Sequence, residues 1–144
     1  MFPADAKIMI VDDSSFARTM LKNSLRELKY WKILEAGEGK AAQGLILEDE
    51  QRNDPIHLLI LDIHMPELDG LALLKWLREQ KAYKELPVII ITSSQQRHEI
   101  IEAGKLGVSQ YIVKPFETGI LRDKIGNTWI KHGQKFSESL KRLN

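Results

Sequence analysis

The feature that most narrows what this chain can become is a rhythm. Short, nearly unbroken apolar runs alternate with segments of helical period, five times over. Residues 7–11 (KIMIV), 31–36, 57–61 (HLLIL), 88–91 and 110–113 read as strands, the fourth opened by Pro87 and rich in β-branched residues. The third run is apolar almost throughout, which implies burial on both faces. Residues 14–28, 39–50, 71–80, 95–106 and 117 onward read as helices. In the first, Phe16, Met20, Leu21, Leu25 and Leu28 fall at helical spacing. In the second, Ala41, Leu45 and Ile46 are expected inward, although Gly44 weakens the helix. In the third, Leu71, Leu74 and Leu77 share one side, and Asp69 is expected to cap it. Strands alternating with helices specify an α/β domain: a parallel sheet covered on both faces by right-handed crossovers. The 144 residues suit one such domain, and no long repeat points to a solenoid.

Composition removes several functions. Hydrophobic residues at 43% against 28% charged give an ordinary globular balance rather than a disordered one. A net charge of +1 announces no nucleic-acid surface. The absence of cysteine excludes disulfides, thiolate catalysis and cysteine-based zinc sites, and accords with a reducing compartment. MFPADAK lacks a secretory pattern, and no apolar run approaches the roughly 20 residues needed to span a bilayer. A cytoplasmic location without membrane insertion is therefore expected.

In open α/β sheets the ligand site lies beyond the carboxyl ends of the strands, where the strand order switches direction. Here the first strand ends in Asp12 and Asp13, the third in Asp62, the fourth in Thr92 and the fifth in Lys114. The second, ending near Glu35 and Ala36, offers little. If the strand order is 2-1-3-4-5, Asp12, Asp13 and Asp62 converge. Carboxylates this close repel one another and demand either protonation or a cation. An all-oxygen donor set suits Mg²⁺. Lys114 supplies a positive point charge for phosphate oxygens, and Thr92 a hydroxyl donor. Together they compose a phosphoryl-transfer site with a carboxylate nucleophile. Asp13 or Ser14 also fits as the cap of the first helix.

Residues 126–144 are the irregular part. Ile125, Trp129, Phe136, Leu140 and Leu143 have roughly helical spacing, but Gly133 interrupts them. One long helix and two shorter pieces both fit, as do an extended last helix with a solvated face and a docking or dimerisation segment.

The segments IMIVDDSSFAR, LLILDIHMPELDG, VIIITSS and YIVKPF, in this order, resemble the successive motifs of bacterial response-regulator receiver domains, particularly stand-alone, CheY-like regulators. The resemblance runs from about residue 7 to residue 127. It implies a flavodoxin-like (βα)5 three-layer sandwich with parallel strand order 2-1-3-4-5. Residues 1–127 would be the receiver domain and 128–144 a C-terminal extension of the last helix, with no separate effector domain.

By position, Asp62 matches the phosphoacceptor. Asp13 matches the acid that binds Mg²⁺ directly, and Asp12 its partner, often acting through water; Mn²⁺ can substitute. The backbone carbonyl of His64 matches the third protein ligand. Thr92 matches the switch hydroxyl, Lys114 the lysine that pairs with the phosphoryl group, and Tyr111 the switch aromatic. The Lys114–Pro115 bond would be cis.

The implied function is a single-domain response regulator of a two-component phosphorelay. It acts on no outside substrate; its chemistry is autophosphorylation and autodephosphorylation at Asp62. A sensor histidine kinase or histidine phosphotransfer protein would supply the phosphoryl group. The fourth helix, fifth strand and fifth helix would present the output face to a protein target the sequence does not name. Chemotaxis and other phosphorelays both fit, as do a monomer and a weak dimer. No DNA partner is expected, since no basic recognition helix stands in a separate domain. His64 and Ser94 depart from the common pattern at positions that in this family flank the line of water attack. His64 either positions that water or hinders it, so the phosphorylation lifetime stays open. A non-switching pseudo-receiver is disfavoured by the complete set of site residues. A flavin carrier is disfavoured by acids where a phosphate-cradling loop belongs, and a dedicated phosphatase by the lack of a substrate cap.

Overall fold

Segments dense in isoleucine, leucine and valine gain most by leaving water, and they form the centre of the molecule. The computed structural model describes residues 1–143. Five strands, β1 (Ile8–Val11), β2 (Ile33–Ala36), β3 (Leu58–Leu61), β4 (Val88–Thr92) and β5 (Gln110–Val113), pair in parallel in the order β2-β1-β3-β4-β5. The three central strands are buried along their whole length, while β2 and β5 are partly exposed at the edges. The flanking helices are α1 (Ser15–Glu27), α2 (Gly39–Gln51), α3 (Gly70–Glu79), α4 (Arg97–Lys105), α5 (Thr118–Thr128) and α6 (Gln134–Leu143). Strand side chains alternate between two cores. Ile8, Ile10, Leu58, Ile60, Ile89 and Ile91 pack towards α1 and α5. Met9, Val11, Leu59, Leu61, Val88 and Ile90 pack towards α2, α3 and α4. Each such residue, fully buried, stabilises the fold by about 1.5–3 kcal/mol, so the order of the sheet is held by its centre rather than its edges. This is the flavodoxin-like, three-layer architecture expected from the sequence.

Several local expectations are corrected. The second strand begins at Ile33 rather than at residue 31, and Trp31 lies in the preceding loop, 66% exposed. On α1 only Leu21 and Leu25 are buried; Phe16 and Met20 are exposed. At 3.6 residues per turn Met20 lies about 100° or more around the helix from Leu21 and Leu25, so one stripe cannot hold them all. On α2 it is Ala42, not Ala41, that faces the core. Other expectations hold: of the two residues offered as the cap of α1 it is Ser14 that accepts the Ala17 amide, and Asp69 caps α3 as expected by accepting the Ala72 amide.

The C-terminal segment bends. After α5 a π-helical stretch, Trp129–Gly133, leads into α6. Phe136 and Leu140 are buried in the core on the far side of the sheet from α5. His132 Nδ1 lies 2.8 Å from the Ser109 hydroxyl, so the chain crosses beside the amino end of β5, away from the strand ends that carry the acids. Gly133 permits the bend: a Cβ there would stand 2.7 Å from Phe2 and 2.9 Å from Trp129. The side chain of Leu143, expected in the apolar stripe, and Asn144 lie outside the described residues.

A second glycine holds the site together. A Cβ on Gly70 would stand 2.8 Å from the Ile63 Cα and collide with the backbone carbonyl of Asp62, and the Gly70 amide already bonds to the Ile63 carbonyl at 2.7 Å. Gly70→Ala is therefore expected to lower unfolding stability by at least about 1–3 kcal/mol, the range for overpacking, measured by urea denaturation.

At the opposite end of β1 and β3, His57 Nδ1 accepts the Lys7 amide at 3.1 Å. Burial, reinforced by Lys32, holds the His57 ring below its ordinary value of 6.5. A depressed folded value contributes stability that is present above 6.5 and lost as the pH falls through the folded value. The melting temperature should fall between pH 7.5 and 5, and the slope should be shallower in His57→Asn.

Candidate functional site

Register decides which side chains meet. Val11 lies opposite both Ala36 and Leu61, and Leu61 opposite Ile90, so the residues that follow β1 and β3 emerge side by side. Those residues are Asp12, Asp13 and Asp62, whose carboxylate oxygens lie within 4.8 Å of one another. Asp12 and Asp62 are buried, whereas Asp13 is exposed.

Lys114, just past β5, reaches across to them. Its Nζ lies 2.7 Å from Asp12 Oδ2 and 3.0 Å from Asp62 Oδ2. Burial works against the charge on this lysine, but the bonds to Asp12 and Asp62 outweigh it and raise the pKa above 10.5. Asp12 has both oxygens engaged, because Oδ1 also accepts the Ser14 amide at 2.9 Å. Among the described residues no hydrogen bond reaches the Asp13 carboxylate, which leaves its oxygens free for a cation. An all-oxygen cluster with one unengaged carboxylate fits Mg²⁺, which prefers few carboxylates and several waters.

The remaining expected residues surround this cluster. Thr92 ends β4, fully buried, and its Oγ1 accepts the Ser94 amide at 3.3 Å. Its carbonyl accepts the Lys114 amide at 2.9 Å, which fixes where the lysine leaves β5. Tyr111 is half-buried on β5 and donates its hydroxyl to the Ser94 carbonyl at 3.0 Å. His64 is exposed in the loop after β3, and its amide donates to Asp62 Oδ1 at 3.4 Å. The Lys114–Pro115 peptide is cis. An apolar cleft of about 440 Å³ borders Asp12, Asp62 and Lys114, with Phe16, Met20 and Phe116 in its wall.

Sequence reading missed three supporting groups. Glu35, at the end of the strand judged uninformative, pairs with Arg18 at 2.9 Å, and Arg18 in turn donates to the Asp12 carbonyl at 2.7 Å. Lys22 and Arg18 hold the Glu35 carboxyl below its usual range. Gly70 stands in the sequence only as the last residue of the LLILDIHMPELDG segment, with no local sign of its contact with Asp62. Glu99 carried no signal beyond its place in the first turn of a helix, yet it is buried and lies 3.0 Å from His64 Nε2.

The chain belongs to the response regulator receiver domain family, whose pattern matches residues 8–126. It is 40% identical over 119 residues to a chemotaxis protein CheY homolog of Campylobacter jejuni, covering 83% of this chain and 88% of that protein. Over the same length it is 42% identical to chemotaxis protein CheY1 of Helicobacter pylori, covering 93% of that protein. Among solved structures, chemotaxis protein CheY4 of Vibrio cholerae superposes with a TM-score of 0.75 at 26% identity, covering 86% of this chain and 98% of that one. The receiver domain of a signal transduction histidine kinase from Syntrophus aciditrophicus does so with a TM-score of 0.71 at 29% identity, covering 85% of this chain and 89% of that one. Membership places the chain in two-component phosphorelay signalling. Receiver domains act there as switches, bind Mg²⁺ at an acidic pocket, and interact with histidine kinases and downstream targets. Among the described residues no helix is long and apolar enough to cross a membrane.

Lys114→Met removes the cation from two buried carboxylates. It is expected to cost about 1–3 kcal/mol of stability in metal-free buffer. The loss should shrink in an Asp62→Asn background, where one of the stranded charges is gone; chemical denaturation of the four proteins of the cycle measures this.

Proposed function

We propose that this chain is a single-domain response regulator that accepts a phosphoryl group on Asp62 in a Mg²⁺-dependent reaction. The observation that carries the reading is the Lys114 ammonium bonded at once to Asp12 and Asp62, with Asp13 unengaged beside them. That arrangement shares one ammonium between two acids, so that Lys114 can pass from them to phosphoryl oxygens.

Asp12, Asp13, Asp62 and the backbone carbonyl of His64 would hold the Mg²⁺. A divalent cation there would neutralise the acids and draw in phosphoryl oxygens. An Asp62 carboxylate oxygen attacks phosphorus, the bond to the donor's leaving nitrogen or oxygen breaks, and the electron pair leaves with the donor. Lys114 transfers its hydrogen bonds from the acids to the new phosphoryl oxygens. Thr92 Oγ1 turns towards the same group, releasing the Ser94 amide, and Tyr111 shifts with the Ser94 segment it is bonded to. The phosphoryl group biases an equilibrium between two arrangements of this region. The altered surface is α4, β5 and α5, where Ile100, Ile101, Val113 and Ile120 stand exposed.

The phosphodonor is a sensor histidine kinase or a histidine phosphotransfer protein, and the apolar cleft beside Asp62 offers it a surface. The output partner is a protein rather than DNA. The protein acts in the cytoplasm, as a monomer or weak dimer, and the Campylobacter and Helicobacter relatives favour chemotaxis as the process. The receiver comprises residues 1–127, with 128–144 as its C-terminal extension.

The test is phosphorylation by acetyl phosphate, followed by intact-protein mass spectrometry and acid-urea separation. A single phosphoryl adduct should form with Mg²⁺, disappear on chelation, and be absent in Asp62→Asn. Mg²⁺ at 100 times its dissociation constant should also stabilise the fold by about 2.7 kcal/mol. An adduct that persists in Asp62→Asn would sink the assignment of the acceptor.

A further inference from the structure

Residues 129–143 have no part in the chemistry above, and the family pattern ends before them, at residue 126. They nevertheless reach into both cores. Trp129 packs on the α1 and α5 side, where it meets Phe2 edge-on. His132 Nδ1 then lies 2.8 Å from the hydroxyl of Ser109, just before β5. Phe136 and Leu140 are buried in the cluster on the other side of the sheet. The same cluster holds Ala103 of α4, and Leu106, Val108 and Tyr111 pack against it. The C-terminal segment therefore joins α5, the start of β5 and the core on which Tyr111 rests.

The attachment of α6 is thin. Among the described residues no salt bridge and no side-chain hydrogen bond ties α6 to the rest of the chain; its one side-chain bond, from the Ser139 hydroxyl to the Phe136 carbonyl, is internal. Ser137 is buried beside the anchor Phe136, and its hydroxyl has no partner among the described residues. A hydroxyl stripped of water with nothing in exchange works against docking. Lys135, Glu138, Lys141 and Arg142 face solvent in the docked helix, so their hydration does not oppose release. Among the described side chains, docking is carried by Phe136 and Leu140 through the apolar surface they remove from water. The π-helical turn that ends at Gly133 supplies a hinge.

We propose that α6 is an intramolecular clamp on the switch: docked, it favours the arrangement in which Lys114 is shared by Asp12 and Asp62, and its release favours the phosphorylated arrangement. This rests on Asp62 being the acceptor. The physical basis is shared packing. When Tyr111 shifts with the Ser94 segment, a close-packed core has to repack rather than deform, and Tyr111 borders the cluster that contains Phe136 and Leu140. The chain of β5 is also held at its start by His132 against Ser109, while Tyr111 and Lys114 act nearer its other end. The docked helix coexists with the Lys114 bonds to both acids and the Tyr111 bond to the Ser94 carbonyl, which sets the sign of the coupling. Coupling is reciprocal: if release favours the phosphoryl group, the phosphoryl group favours release by the same factor. A purely structural extension would stabilise both arrangements alike.

The probe is beryllofluoride with Mg²⁺, titrated by fluorine-19 NMR into the full-length wild type, Phe136→Ala and Ser137→Asp. Ser137→Asp places a charge at a buried position of α6 and leaves the rest of the core intact, so it carries the test if the cavity left by Phe136→Ala prevents folding. Both variants are expected to bind the probe at least about fivefold more tightly, the lower end of ordinary allosteric coupling. In the wild type the probe should speed hydrogen exchange of residues 134–142 by a similar factor. Unchanged affinity in a folded variant whose α6 exchanges faster overturns the proposal, and a lower melting temperature beside it would mark α6 as a structural extension. Wild-type α6 exchange that ignores bound probe overturns it too. A wild-type chain that binds no beryllofluoride refutes the preceding functional reading and this one with it; one that binds it with an affinity indifferent to α6 refutes only this one.

Discussion

Negative charge gathered at one edge of the sheet is the constraint that the surrounding structure accommodates. Two unit charges about 4 Å apart interact by roughly 4 kcal/mol at the effective dielectric of a protein surface, and here three carboxylates approach within 4.8 Å. The parallel register of β1 against β3 makes that proximity unavoidable. Lys114 offsets part of it from the end of β5, held by the hydrogen bond that its backbone amide donates to the Thr92 carbonyl, which ties the edge strand to β4. A lysine shared between two acids is also a lysine that can be drawn away by a better anion. The interaction that stabilises the resting site is for that reason the one a phosphoryl group would rearrange.

The acids would be useless if their backbones could drift. Asp12 is fixed from one side by Arg18, which spans from its carbonyl to Glu35 on β2. Asp62 is fixed from the other by Gly70, whose missing side chain lets the start of α3 press against the acceptor's own carbonyl. Neither residue could do chemistry itself. Their contribution is that carboxylates on separate strands hold their separation.

The far end of the sheet shows the opposite economy. There the chain continues past α5 through a π-helical turn and lays Phe136 and Leu140 into the core on the other side. The edge of Phe2 against Trp129, 5.1 Å between ring centres, closes the same end. Phe136 and Leu140 thus pack far from the acids, which stand at the carboxyl ends of the strands.

Legibility in the sequence followed from how local each signal was. The alternation of apolar runs with helical segments was enough for an α/β domain, and the polar residues at four of the five strand ends were enough to nominate Asp12, Asp13, Asp62, Thr92 and Lys114. These depend on side-chain period and strand ends, which neighbouring residues specify. Phe16 and Met20 were misread because spacing along a helix does not say how wide a stripe its neighbour covers. Arg18 with Glu35, Gly70 against Asp62, and Glu99 between His64 and Ser94 were invisible because each joins segments far apart in the chain. By itself the sequence determined which residues could carry the chemistry. Only the tertiary structure decided which of them share hydrogen bonds, because that depends on the register of β1, β3, β4 and β5 and on the placement of α4, and neither is encoded within any single segment.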